Sequence, residues 1–258
     1  MAKLPKEYQF VDLSDYGRGA AIFIAQSLRE SRTTPIQVTT WFVISGLLAI
    51  VCMLIDFYIA AGFFLILKSI LDAADGELSR VKKTPSYVGR YYDSIADILL
   101  NFLFLITICY ITNGSILLTM LAFIGIQLQG TLYNYYYVIL RNLVHGDTTS
   151  RIFEDHAPQA MKGETQVKVN IYYKIYDILY VVFDKTIYYL DRNAMNSNPF
   201  PSWFMTMLSS FGLGFQLLVM AVMLALRLEE YIIPFFIFYS ILIFVFIGVR
   251  KAFLNKPA

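Results

Sequence analysis

Charged residues are missing from long stretches of this chain and crowd the short stretches between them. Residues 36–55 run twenty positions without a charge, enough for a helix to cross a hydrocarbon core of about 30 Å. Residues 57–71 stay apolar apart from Lys68 and then meet Asp72, which predicts a second span whose inner end carries chemistry. Residues 98–140 hold no charge over 43 positions, and the Thr112-Asn113-Gly114-Ser115 turn divides them into two spans. Residues 203–226 and 231–249 complete the set. The pattern predicts an all-α integral membrane protein with six transmembrane helices.

Two segments outside the spans have patterns of their own. Residues 18–32 alternate small and apolar residues with Gln, Arg and Glu, which predicts an amphipathic helix in the headgroup layer ahead of the first span. Residues 167–190 mix Tyr, Ile and Val with Lys168, Lys174, Asp177, Asp184 and Lys185, and their longest uncharged run is six residues. That predicts a helix on or near the membrane surface rather than a seventh span. Four regions follow: an N-terminus with its interfacial helix (1–35), spans one to four (36–145), a cytoplasmic or interfacial insertion (146–201), and spans five and six with a tail (202–258).

The charges between spans set an orientation. Lys3, Lys6, Arg18, Arg29 and Arg32 precede the first span, and Arg80, Lys82, Lys83 and Arg90 separate the second from the third. Arg141, Arg151, Lys162 and Lys168 follow the fourth, and Arg250, Lys251 and Lys256 follow the sixth. The opposite loops hold only Asp56, the neutral turn, and Arg227 with Glu229 and Glu230. By the positive-inside rule both termini face the cytoplasm.

Composition agrees: 57% of residues are hydrophobic and the mean hydropathy is +0.56, which excludes an ordinary soluble domain. A net charge of +2 makes no case for nucleic acid. Cys52 and Cys109 both fall in apolar segments and offer neither a disulfide framework nor thiolate spacing for a metal. Residues 1–19 lack the basic-then-apolar order of a cleavable signal, so the first span is expected to direct insertion.

Against this background four aspartates stand out, Asp72, Asp75, Asp93 and Asp97, all at the inner edge of the membrane. Placing carboxylates beside lipid costs roughly 2.5–3.5 kcal/mol per charge, so something must offset them. On a helix Asp72 and Asp75 share one face as i and i+3, and Asp93 and Asp97 share another as i and i+4. Two helices offering two carboxylates each form an oxygen-rich cage for hard divalent cations, which reads as a two-metal site handling a diphosphate.

The full frame is Asp72-x-x-Asp75-Gly76-x-x-Ser79-Arg80, eight residues, then Gly89-x-x-x-Asp93-x-x-x-Asp97. It resembles the signature of the CDP-alcohol phosphotransferases (the CDP-alcohol phosphatidyltransferase family), integral membrane enzymes that displace CMP from a CDP-linked donor with an alcohol. Ser79 stands where the family usually has Ala. The resemblance implies Asp72, Asp75 and Asp93 as ligands of two Mg²⁺ or Mn²⁺ ions. It also places Asp97 near the metals, as the general base for the attacking hydroxyl. Gly76 and Gly89 would let the nucleotide approach the helix backbones, Arg80 offers a planar fork for phosphate, and Ser86 sits where relatives carry a small hydroxyl. Thr39 is a further candidate, from a Thr34-Pro35-Ile36-Gln37-Val38-Thr39 stretch similar to the family's T-P-N-x-x-T, with Ile36 replacing the Asn. The resemblance also implies a homodimer among membrane lipids.

Two donor logics fit the frame. The donor is CDP-diacylglycerol with a small polar acceptor, toward which the reading leans, or CDP-ethanolamine or CDP-choline with a lipid hydroxyl as acceptor. A phosphorylated acceptor would need extra cations, for which Arg141, Arg151 and Arg250 are available. Intramembrane prenyltransferases carry repeated aspartate motifs in a larger bundle, and a cation-coupled transporter would spread acids through the membrane depth. Neither matches one cluster at one edge. Bland readings fit other features: His145 and His156 as solvated side chains, Tyr133 and Tyr135–Tyr137 as an interfacial belt, and Gly212 with Gly214 as mid-membrane packing.

Overall fold

The computed structural model describes residues 4–144 and 156–254 of the chain. Among them there is no strand, so the architecture is all-helical as expected. A short helix α1 (Arg18–Ser27) leads into two antiparallel pairs, α2 (Pro35–Leu54) with α3 (Tyr58–Lys82) and α4 (Tyr87–Ile111) with α5 (Ile116–Leu143). After the insertion come α6 (Gln166–Leu190), α7 (Ser202–Leu208), α8 (Leu213–Ala225), α9 (Glu229–Tyr239) and α10 (Leu242–Phe253).

Local sequence starts and stops these helices. At the head of α2, Thr34 accepts from the Gln37 amide at 3.3 Å while the Gln37 side chain accepts from the Thr34 amide at 2.8 Å. Pro35 follows at the first helical position, where its missing N–H is not needed. The connections are tight because one residue in each turns left-handed: Asp56 between α2 and α3, Lys83 before α4, Asn113 before α5 and Arg227 before α9. The α4–α5 hinge thus falls at the predicted Thr112–Ser115 turn.

Four helical segments are long and apolar enough to cross a membrane: α2, α4, α5 and Glu229–Phe253, which joins α9 and α10. The α7–α8 pair makes a fifth if counted as one span, but it is bent by 55° near Gly212. The continuous span expected over 203–226 is therefore broken. Helix α3 has the length, at 25 residues, yet Lys68, Asp72 and Asp75 fall inside it and remove it from that count. Helix α4 begins at Tyr87, eleven residues before the uncharged run, so Asp93 and Asp97 lie within it, as their i, i+4 reading expects.

Helix α3 runs through the centre, with α1, α2 and α8 packed against it. An apolar core of Phe42, Leu65, Phe104, Leu217 and Phe236 joins α2, α3, α4, α8 and α9. A second, aromatic-rich core around Tyr136, Phe200, Phe204, Phe211 and Phe246 ties α5 to the chain around α7 and to α10. Helix α1 buries Ala21 and Ala25 against Ala74 and Leu78 of α3 and leaves Ile22 and Phe23 exposed. It ends at Ser27, short of the 18–32 range read from the pattern. Helix α6 matches the predicted 167–190 segment to within a residue and lies across α4 and α5.

Candidate active site

The aspartate frame places two helices side by side. One oxygen from each of Asp72, Asp75 and Asp93 lies within 4.8 Å of the others, the grouping among the described residues that can hold a metal ion. Thr39 reaches in from α2 and donates its hydroxyl to Asp75 Oδ2 at 2.5 Å, so this sequence candidate joins the cluster. Asp93 Oδ1 is buried with no hydrogen-bond partner. A buried carboxylate oxygen left unpaired is costly, and hard oxygen donors at this spacing suit a divalent cation. These three carboxylates therefore fit a divalent cation, where the sequence reading expected two.

Asp97 is held differently. Lys68, fully buried in α3 one turn before Asp72, donates its ammonium to Asp97 Oδ1 and, at 2.9 Å, to Asp72 Oδ2. The ammonium also sits 4.5 Å from the centre of the Phe42 ring. Sequence reasoning registered Lys68 only as an interruption in a span. The signal was present: a lone lysine at i−4 from Asp72 in an apolar run needs a partner.

The remaining motif residues surround the cluster. A Cβ on Gly76 would meet only the Arg80 guanidinium, at 3.7 Å, so protein packing leaves open space there. Arg80 pairs with Glu77 at 2.7 Å and leans over the same opening. Ser86 caps α4, accepting from the Gly89 amide at 2.8 Å and donating to Glu164 Oε1 at 2.7 Å. Its hydroxyl is thus spent on local structure. Glu164 also accepts from the Val88 amide at 2.8 Å and the Met161 amide at 3.1 Å, which ties the insertion to the head of α4. Burial alone would raise its pKa, but the hydrogen bonds from Ser86 and the backbone amides outweigh it and hold the carboxyl below the usual glutamate range.

Two cavities meet at the aspartates and share Asp75, Gly76, Arg80 and Asp93. The one toward the head of α4, of about 740 Å³, is bounded by Gly89, Ile36 and the 161–165 loop, with Arg32, Arg90, Lys162 and Lys168 on its walls. The other, of about 500 Å³, lies between α3, α4, α5, α6 and α8 and reaches Asn101, Gln127 and Gln216.

Helix α6 contributes to this second cavity through Tyr176, Tyr180 and Asp184, which sequence reasoning left without a role. Tyr180 donates to the Ser94 carbonyl at 2.7 Å, one residue past Asp93. Nothing in the 167–190 pattern pointed there, because the register of α6 against α4 is a tertiary fact. The tyrosines of α5 are likewise not a lipid-facing belt. Tyr133 donates to Asp12 Oδ2 and Tyr136 to Asp191 Oδ2, each at 2.5 Å, because a buried phenol needs an acceptor. Gly212 and Gly214 sit at the break before α8, where a Cβ on Gly214 would overlap the Ser14 carbonyl. They admit the N-terminal segment to the cavity wall rather than packing two helices.

The cations offered for an acceptor phosphate are placed elsewhere. Arg250 is buried in an ion pair with Asp191, and Arg141 is buried over the Tyr137 ring, 5.0 Å from its centre. Neither lines either cavity. Arg151 and His145 lie outside the described residues, and His156 is exposed.

Residues 32–158, which contain all four aspartates, match the model of a family described as CDP-alcohol phosphatidyltransferase. No curated protein and no solved structure matches the chain.

Proposed function

Since the chain carries a domain of the CDP-alcohol phosphatidyltransferase family, a family of transferases for phosphate-containing groups, we propose that it transfers a phosphatidyl group from CDP-diacylglycerol to a small polar alcohol. The observation that carries this reading is the meeting of two unlike cavities at one carboxylate cluster. The larger carries Arg32, Arg80, Arg90, Lys162 and Lys168 on an otherwise mostly apolar wall and is open beside Gly76, which suits a nucleotide diphosphate. The smaller mixes carboxylates, amides and tyrosine hydroxyls with Ile126 and Leu213, and its polar groups suit a water-soluble acceptor.

In this reading Asp72, Asp75 and Asp93 hold the divalent cation on which the family generally depends, Mg²⁺ or Mn²⁺. When bound it neutralises the diphosphate and the leaving phosphate. A second ion would need Asp97, which Lys68 engages. Gly76 admits the nucleotide, a Cβ on Gly89 would instead meet the Ser86 hydroxyl at 3.2 Å, and Arg80 turns its fork from Glu77 to the diphosphate. The acceptor hydroxyl oxygen forms a bond to the phosphorus remote from cytidine. The bond from that phosphorus to the bridging oxygen breaks, and the electron pair leaves with CMP. Asp97 takes the hydroxyl proton, and Lys68 holds its carboxylate on that line.

We assign α3 as a span in addition to the five segments above, with its charged end at the cytoplasmic face. The excess of lysine and arginine on that side supports this orientation, and the exposed Ile22 and Phe23 of α1 support an interfacial helix. A homodimer belongs to the same proposal and is checked by light scattering in detergent.

The test is CMP release by the purified protein with Mg²⁺, from CDP-diacylglycerol and, in parallel, from CDP-ethanolamine and CDP-choline, each with pooled acceptors. Release from CDP-diacylglycerol alone is expected. Release only from the small donors would reverse the assignment of donor and acceptor.

A further inference from the structure

The smaller cavity extends past the aspartates toward the middle of the bundle, and neutral amides form that part of its wall. Asn101 lies one turn beyond Asp97 on the same face of α4, and Gln127 comes from α5. They are 5% and 7% exposed, yet Asn101 Oδ1 and Gln127 Nε2 have no hydrogen-bond partner. Buried polar atoms are paired in the great majority of cases, so two orphans on one cavity wall call for a ligand. One is an acceptor and the other a donor. A hydroxyl group satisfies both.

Charge narrows the ligand class. Asp12, Asp15 and Asp184 add to the four aspartates around this cavity, and among the described residues Arg18 and Arg80 on its wall and Lys68 behind Asp72 and Asp97 oppose them. Arg18 is committed to Glu77 at 2.6 Å and to Asp15, and Arg80, paired with Glu77 at 2.7 Å, is the group assigned above to the donor's diphosphate. A phosphate or carboxylate on the acceptor would meet no side-chain cation beyond those already engaged by carboxylates or assigned to the donor. Asp12 and Asp15 are themselves engaged by Tyr133 and Arg18, so the wall does not single out an ammonium group either.

We propose that this cavity binds an uncharged polyhydroxy alcohol of sugar or cyclitol size, with Asn101 and Gln127 as its specificity-determining contacts. The volume of about 500 Å³ accommodates such a ring with one hydroxyl left at Asp97. The inference rests on the transferase reading, so its test needs a readout that survives failure of that reading.

The full-length protein in detergent is titrated calorimetrically with myo-inositol, myo-inositol phosphate, glycerol, glycerol phosphate, serine and ethanolamine, and each is also supplied as acceptor for CMP release. Expected are binding and turnover with an uncharged polyol and neither with its phosphate. Asn101→Leu and Gln127→Leu each remove a buried unpaired group and are expected to fold. Each should raise the dissociation constant of the polyol at least tenfold while CMP binding with Mg²⁺ stays as in the wild type. Turnover confined to a phosphorylated, amino or lipid acceptor overturns the inference and leaves the transferase reading standing. Turnover with none, but tenfold-sensitive polyol binding, supports the inference and sinks the choice of donors. No polyol binding leaves a water-filled vestibule and overturns the inference.

Discussion

Replacing Lys68 by methionine separates its two effects on the carboxylates. The side chain is fully buried, reaches Asp72 at 2.9 Å and also bonds Asp97. At that distance one pair represents about 6 kcal/mol of gross attraction at an effective dielectric near 20, much of it offset by stripping water from the ammonium. Removing one partner of a buried pair costs about 3–5 kcal/mol, because the other charge stays buried. For a chain of this size that corresponds to a melting point lower by roughly 6–20 °C. Methionine keeps the volume, so cavity formation adds little. The melting point is read by intrinsic fluorescence in detergent, in EDTA and in millimolar Mg²⁺. The drop should be large in EDTA and smaller with Mg²⁺, since an added cation takes over the neutralisation. Mg²⁺ affinity itself should rise, because the cage loses a competing positive charge. An unchanged melting point in EDTA together with unchanged metal affinity would refute the idea that Lys68 neutralises this site.

Asp93→Asn removes a buried carboxylate whose Oδ1 has no partner, so the metal-free melting point should hold or rise while turnover falls at least about 100-fold, as the loss of some 3 kcal/mol of metal-derived stabilisation implies; full activity would sink the ligand assignment. Thr39→Val deletes the hydroxyl that donates to Asp75 and should cost about 1.5–3 kcal/mol in EDTA, with a weaker metal affinity; an unchanged affinity would make the contact incidental. Glu164 has its folded pKa lowered, so its tie to the head of α4 is intact at and above the usual glutamate range and is lost as pH falls through the lowered value. Wild-type affinity for CMP should therefore weaken on acidification below that range, and Glu164→Gln should flatten the change; identical profiles would detach the 161–165 loop from nucleotide binding.

The helical class, the α4–α5 hinge, the α6 segment and the four aspartates were all legible in the chain alone. Each rests on local information. Uncharged runs of span length, a neutral turn and fixed i, i+3 and i, i+4 spacings do not depend on what packs against them. The site was legible as a motif for the same reason, since two short helical segments bring their own carboxylates to one face each. What the chain could not give was the partnering of those faces. That Thr39 bonds Asp75, that Lys68 faces Asp97 across two helices, and that Tyr180 of α6 covers Ser94 are set by how the helices cross. The start of α4 at Tyr87 came from the structure, because charge marks the membrane edge whereas the helix continues through its charged turns. The break at Gly212 was read as packing because a glycine pair in an apolar run fits both, and only the Ser14 carbonyl against Gly214 distinguishes them. Sequence alone determined which groups are the candidates for the chemistry. The tertiary structure decided which of them are neutralised, which are left unpaired, and what shape and charge of molecule each cavity can take, because hydrogen bonding and burial belong to pairs of residues far apart in the chain.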